Sequence, residues 1–314
     1  MQEKTGLTPS ATGVYLITVT PFTPDGELDV QSIDRLVDFY LQAGVDGLTL
    51  LGVLGEAPKL TAAESGEYVK RVLARVNGQV PVVVGASASG FAAMGELTQR
   101  VMDMGADGVM VAPATGLRTD DQIRNYFNMV NETLGPDVPW VLQDHPNATG
   151  VQMSSSVVMQ VIDQSPNCVM LKHEDCPGLA KLSAIRAAQA QQTLKPLSIL
   201  SGNGGGLFLP EELERGANGA MTGFAYPEMM VEVCRAHAAG NIDRAFDVFD
   251  AYLPMSRYEQ QPGIGLAVRK YLLARRGAIA SDTVRKPGPV LSKQDITDIE
   301  RLIERQERRL AELG

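Results

Sequence analysis

Short β-rich runs alternate with helix-length amphipathic segments eight times between residues 14 and 240, and this alternation leaves few folds open. The expected strands are residues 14–20, 47–52, 80–87, 108–113, 139–146, 168–174, 197–202 and 219–224. Between them, residues 30–43 place Ile33, Leu36, Val37, Tyr40 and Leu41 on one helical stripe. Asp120–Leu134 does the same with Ile123, Phe127 and Val130, behind a Thr119-Asp120 start that suits an N-cap. The turns Gly44-Val45-Asp46-Gly47, Gly105-Ala106-Asp107-Gly108 and Gly216-Ala217-Asn218-Gly219 mark helix-to-strand returns, where a left-handed residue is needed. Eight such repeats without a long polar linker predict an α/β fold, a closed (β/α)8 TIM barrel over residues 1–240. The competing doubly wound open sheet lacks a Gly-x-Gly-x-x-Gly turn after the first strand.

Residues 241–314 read as a C-terminal helical subdomain, with helical stretches at 242–258, 263–276 and 293–313. The last sets Arg301, Glu304, Arg305, Glu307, Arg308 and Arg309 against Ile296, Ile299, Leu302 and Leu310. That pattern predicts a solvated face and an apolar seam against the barrel or another subunit.

A length of 314 residues with 44% hydrophobic content suits one barrel with an ample core. The net charge of −9 argues against nucleic acid or an anionic membrane as partner. No apolar run approaches the roughly 20 residues that span a bilayer, and Met1-Gln2-Glu3-Lys4-Thr5-Gly6 has no leader pattern. Cys168, Cys176 and Cys234 imply neither a disulfide framework nor a ligand cluster, so a reducing, cytoplasmic setting is expected.

In such a barrel the chemistry sits at the carboxyl ends of the strands. The sixth strand carries Met170-Leu171-Lys172-His173-Glu174-Asp175. Alternation puts Met170, Lys172 and Glu174 on one face and Leu171 and His173 on the other. Desolvation in an apolar strand favours a neutral amine, which is a nucleophile for carbonyl carbon. A carboxylate two residues on is a proton-transfer group beside that nucleophile, although a snorkelling lysine or a plain ion pair reads equally well locally. The fifth strand brings Gln143 and His145 to one face, His145 being either a structural histidine or a site residue. The second ends in Leu51-Gly52-Val53-Leu54-Gly55-Glu56, whose backbone N–H groups can hold a carboxylate or simply make a turn. Gly202-Asn203-Gly204-Gly205-Gly206 follows the seventh strand, either as an anion-binding loop or as a flexible turn. His173-Glu174-Asp175 face alternate ways, and no His-x-His or Glu-x-x-His pair occurs at another strand end, so no metal is expected.

The second-strand turn with Ala57-Pro58 resembles the Gly-Thr-Thr-Gly-Glu turn of the dihydrodipicolinate synthase / N-acetylneuraminate lyase family. Thr20-Pro21-Phe22 with Asp25-Gly26, Gly44-Val45-Asp46-Gly47 and Leu171-Lys172 are similar too, and the resemblance covers essentially the whole chain. It implies a homotetrameric or homodimeric barrel with no cofactor, in which Lys172 forms a Schiff base with the 2-oxo group of a small-molecule acid. The acid's carboxylate would lie on Gly52, Val53 and Leu54. Substrate length would be set by the loops at 114–118 and 202–206, with Thr115, His145, Gly202 and Asn203 as contacts.

The departures narrow the expectation. Val53 and Leu54 replace the family's threonines, and Ala114-Thr115 stand where a proton-shuttling tyrosine follows Pro113. Gln143-Asp144-His145-Pro146 replaces a Tyr-Asn-x-Pro segment. The missing tyrosine, Gln143 and Lys172-His173-Glu174-Asp175 together resemble the family's dehydratase branch acting on 2-keto-3-deoxy sugar acids, with five-carbon 2-keto-3-deoxyarabonate as expected substrate and 2,5-dioxopentanoate as product. Lys172 would form the imine, Glu174 would take the carbon 3 proton, and Gln143 would hold the leaving hydroxyl or a water. A pyruvate-releasing aldolase and a non-catalytic 2-oxo-acid-binding barrel are the alternatives.

Overall fold

The computed structural model describes residues 6–176 and 178–314; residues 1–5, read above for a leader pattern, lie outside them. The expected strands form, as β1 Gly13–Ile17, β2 Gly47–Leu50, β3 Val82–Gly85, β4 Gly108–Val111, β5 Trp140–Asp144, β6 Cys168–His173, β7 Ser198–Ser201 and β8 Gly219–Ala220. Each pairs in parallel with the next, and β8 returns to β1, closing a (β/α)8 barrel. Several strands stop short of their expected carboxyl ends because the chain there peels into loops while keeping single bonds to its neighbour. Glu174 N still donates to Asp144 O at 2.9 Å, and Gly202 N to His173 O at 2.7 Å.

The intervening helices are α1 Val30–Gln42, α2 Ala62–Val76, α3 Phe91–Asp103, α4 Asp120–Leu134, the single turn α5 Pro146–Thr149, α6 Ser155–Asp163, α7 Leu179–Ala190, α8 Leu209–Glu214 and α9 Pro227–Ala238. α4 starts with a full capping box between Thr119 and Gln122, and its Ile123, Phe127 and Val130 are buried. The stripe on α1 packs inward, with Leu41 only partly covered.

Gly44, Gly105 and Gly216 open the three return turns in the left-handed region, at φ of 81°, 99° and 92°. The polar residue two positions later then reaches back to the start of an adjacent strand. Asp46 accepts from Val14 N, Asp107 from Val82 N and Asn218 from Ile199 N, at 2.8, 2.8 and 2.9 Å. The repeat therefore satisfies strand ends that would otherwise be buried and unpaired.

Inward side chains, among them Tyr15, Val83, Met110, Val141 and Met170, fill the barrel. The opposite faces of the strands pack on the helices in a second, larger core. Beyond residue 241 come α10 Ile242–Glu259, α11 Gly265–Arg275 and α12 Lys293–Leu313. The buried seam of α12 is Ile299, Ile303 and Gln306, with Leu302 and Leu310 partly covered and Ile296 half-buried. It lies along α10, so within the chain this seam is satisfied by helix rather than by strand. Among the described residues no helix is long and apolar enough to cross a membrane.

These helices are anchored by a buried ion pair. Glu259 accepts from Arg269 Nε at 2.6 Å and from Ala225 N at 2.9 Å, while Arg269 Nη2 donates to Gly223 O at 2.6 Å. Removing one member leaves the other charge buried without compensation. Glu259→Ala should therefore cost about 3–5 kcal/mol, read as a lower urea midpoint at unchanged slope. A loss below about 1 kcal/mol would mean that Gly223 O alone satisfies the guanidinium.

Candidate active site

β5 and β6 are in register with Gln143 beside Lys172, so alternation places both side chains on the inner face. Glu174 follows one step beyond the labelled end of β6 on the same face. The expected catalytic groups meet there: Lys172 Nζ lies 3.0 Å from Glu174 Oε1, and Gln143 Nε2 donates to Glu174 Oε2 at 2.7 Å. Lys172, Gln143 and Glu174 are 5%, 7% and 7% exposed, so a carboxylate with both oxygens engaged shares a buried site with an amine. His145 Nδ1 stands 3.6 Å from Glu174 Oε1, beyond hydrogen-bond reach. Burial, and secondarily Lys172, hold the His145 imidazole below its ordinary value although Glu174 pulls the other way.

Gly202 explains itself by contact. A Cβ there would stand 2.2 Å from Glu174 Cγ and 2.9 Å from Lys172 Cγ, so the absent side chain makes room for the pair. The following Gly204–Gly206 turn is packed rather than loose: a Cβ on Gly204 would meet Gln260 Oε1 at 2.0 Å.

A chamber of about 310 Å³ opens over Lys172 and Glu174. Its walls include Val53, Leu54, Gln143, His145, Gly202 and Asn203 among the expected residues. Gly52 lines an adjoining cavity of about 350 Å³ that shares Val53, Gln143 and His145 with the chamber. Thr115 is a correction: it is exposed and lines neither cavity, because the chain turns outward after β4 and leaves Met110 and Ala112 at the wall instead. Sequence reasoning missed Thr222 beyond β8, Phe208 before α8 and Gln260 after α10, which also line the chamber. No local periodicity marks them; long-range packing brings them in.

The turn after β2 is a 3-10 turn, Val53–Gly55, whose own bonding begins at Gly55 N to Gly52 O, 3.0 Å. The N–H groups of Val53 and Leu54 are thus not used by the turn and stay available to a carboxylate. Leu51 and Glu56 bracket it in the left-handed region, at φ 53° and 54°, a conformation costing roughly 1–2 kcal/mol each. The strain is held by buried contacts. Glu56 accepts from Lys270 Nζ at 2.5 Å, Lys59 Nζ at 2.9 Å and Arg285 N at 3.0 Å, and Thr20 Oγ1 donates to Gly55 O at 2.6 Å. Lys270 and Arg285 also lie over the Phe22 ring at 4.4 and 4.5 Å, which gives Thr20-Pro21-Phe22 its structural purpose. Burial pushes Lys270 down to about 8 despite Glu56.

On the outer face of β5 and β6, Asp144 pairs with Lys181 of α7 at 2.8 Å, and Lys181 also meets Asp175 at 2.7 Å. Burial pushes the Asp144 carboxyl up to about 6 against the pull of Lys181. His173 Nε2 donates to Gly178 O at 3.0 Å. His173 and Asp144 therefore brace the strands from behind, while Gln143, Lys172 and Glu174 face the chamber. Among the described residues no group of three His, Cys, Asp or Glu side chains is placed to hold a metal ion.

Residues 10–306 match the Dihydrodipicolinate synthetase family. The chain is 29% identical over 296 residues to L-2-keto-3-deoxyarabonate dehydratase of Azospirillum brasilense, covering 90% of this chain and 91% of that one. It is 33% identical over 241 residues to 4-hydroxy-tetrahydrodipicolinate synthase of Oceanobacillus iheyensis, with 76% and 78% covered. A crystal structure of dihydrodipicolinate synthase from Rhodopseudomonas palustris superimposes with a TM-score of 0.93 at 51% identity, over 96% of this chain and 99% of that one.

The fit at Gly202 predicts the effect of one methyl group. In a crystal structure of Gly202→Ala, Glu174 should be displaced beyond hydrogen-bond reach of Lys172, with turnover of a 2-oxo acid substrate reduced at least about tenfold. An unmoved Glu174 with undiminished turnover would show that the neighbouring backbone absorbs the contact.

Proposed function

The chain belongs to the Dihydrodipicolinate synthetase family, a family of lyases, and from that premise we propose that this protein is an imine-forming dehydratase of a 2-keto-3-deoxy sugar acid. The best-supported substrate is the five-carbon acid L-2-keto-3-deoxyarabonate, converted to 2,5-dioxopentanoate and water. The observation that carries the reading is the composition of the walls. Apart from Lys172, the only cation among the described residues lining the chamber or its neighbour is Lys59, which is engaged by Glu56 and Arg285 O. No tyrosine lines either cavity among those residues. A second carboxylate or a phosphate at the far end of the substrate would enter without a counter-charge, at a high desolvation cost. A polyol tail meets that wall at no such cost.

Lys172 Nζ attacks carbon 2, and loss of water gives a protonated imine that acidifies the carbon 3 hydrogens. Glu174, 3.0 Å from that nitrogen, takes a carbon 3 proton, and the electron pair forms the enamine. The enamine then expels the carbon 4 hydroxyl, which leaves as water with one proton, and a conjugated imine remains. Loss of a carbon 5 proton and gain of one at carbon 3 convert it to the terminal enol, which tautomerises to the aldehyde, and hydrolysis of the imine by water frees Lys172. Gln143 cannot supply a proton, but its amide fixes Glu174 and can hold the departing hydroxyl or a water.

A second reading is carbon–carbon bond formation or cleavage, favoured by the synthase name of the 51%-identical structure. The name 4-hydroxy-tetrahydrodipicolinate denotes a product with two carboxylates, which this wall is poorly charged to receive. The aldol step also removes a proton from a hydroxyl, a task for which these walls offer no phenol.

Product analysis over a panel of 2-keto-3-deoxy pentonates and hexonates separates the readings. The expected products are 2,5-dioxo acids; pyruvate with a cleaved aldehyde would contradict dehydration, and binding without turnover would point to a non-catalytic barrel. Glu174→Gln should slow turnover by about 10²–10⁴-fold while imine formation persists, and undiminished turnover would exclude Glu174 as the base.

A further inference from the structure

Behind the chamber wall lies a buried acid that the mechanism above does not use. Glu212, on α8, is 0% exposed, and its Oε1 accepts from Asn203 Nδ2 at 2.7 Å. Asn203 is itself 7% exposed and lines the reaction chamber, close in sequence to Gly202, which packs on Lys172 and Glu174. Burial pushes the Glu212 carboxyl up to about 7, tempered by the hydrogen bond from Asn203 and the nearby Ser201 hydroxyl. In the observed orientation the amide nitrogen of Asn203 faces Glu212, whose Oε1 accepts whether the carboxyl is ionised or carries its proton on Oε2. The carbonyl Oδ1 is then the end of Asn203 left for the chamber.

We propose that Glu212 is a positioning residue that fixes the Asn203 amide so that the chamber presents an acceptor, making Asn203 the specificity determinant for a substrate bearing a hydroxyl on its tail. The chemical consequence is directional. A hydroxyl can donate to Oδ1, whereas a carboxylate or phosphate has no proton to offer at neutral pH and would be repelled. Asn203 therefore supplies a positive signal for the polyol tail that the absence of a free wall cation only permits. The asparagine backbone is fixed as well, since its carbonyl accepts from Gly206 N at 2.8 Å.

This inference rests on the imine reading, and the test separates the two. Imine formation is trapped by borohydride with 2-oxopentanoate and with 5-hydroxy-2-oxopentanoate, neither of which has a carbon 4 hydroxyl to lose. The half-saturating concentration is measured for each. In the unaltered protein the hydroxylated acid should be favoured by about tenfold, the size of one net hydrogen bond. Glu212→Leu should bring that ratio close to one, and Glu212→Gln, which keeps an acceptor for Asn203 Nδ2, should restore most of it. Asn203→Leu should abolish the preference by removing the acceptor itself, and it provides the test if Glu212→Leu fails to fold. Trapping of neither acid by the unaltered protein would contradict the imine reading. Trapping of both without preference, or a parallel weakening of both in Glu212→Leu with the ratio intact, would overturn the role assigned to Glu212 and Asn203.

Discussion

One carboxylate organises the site. Glu174 engages Lys172 through one oxygen and Gln143 through the other, so an amine and an amide from adjacent strands converge on a single buried acid. Exposed to water, such a pair would contribute little. Buried, it would tie proton transfer to the geometry of the imine nitrogen in the proposed mechanism, because Lys172 and Glu174 lie two residues apart on the same face of one strand and its extension. Gly202 shows how tightly this is packed: the seventh strand approaches so closely that a methyl group would collide with Glu174 and Lys172.

Around this centre the protein spends strain and buried charge on holding still. The turn after β2 keeps two non-glycine residues in the left-handed region, and Glu56 at its end is buried among Lys59, Lys270 and Arg285. Those partners come from the chain just after the turn, from α11 and from the segment after α11, so the C-terminal helices help shape the wall of the chamber. Gln260, at the end of α10, enters the chamber directly. The barrel thus supplies the reacting groups, and the appended helices fix part of the space around them.

Strand–helix alternation and the shared face of Lys172 and Glu174 were legible from local periodicity, because a side-chain period of two leaves no choice of face once a strand is assigned. Gln143 was expected beside them only from the family resemblance, since its meeting with Glu174 depends on the register of β5 and β6. The return turns were legible as turns, but the reach of Asp46, Asp107 and Asn218 to neighbouring strands was not, since it depends on which strands become adjacent. Thr115 was misplaced for the same kind of reason: a loop's direction after its strand is set by tertiary packing, not by propensity. Gln260, Thr222 and Glu212 had no local signature at all. Glu212 in particular sits in a helical segment where an acid normally faces water, and only the fold shows it turned inward against Asn203.

The central claim is that Lys172 becomes covalently joined to the 2-oxo carbon before any other bond changes. Reduction with borohydride in the presence of pyruvate, followed by peptide mass analysis, tests it most directly. The account predicts one reduced pyruvyl adduct, located on Lys172. An unmodified Lys172 under conditions where pyruvate binding is independently demonstrated would contradict it.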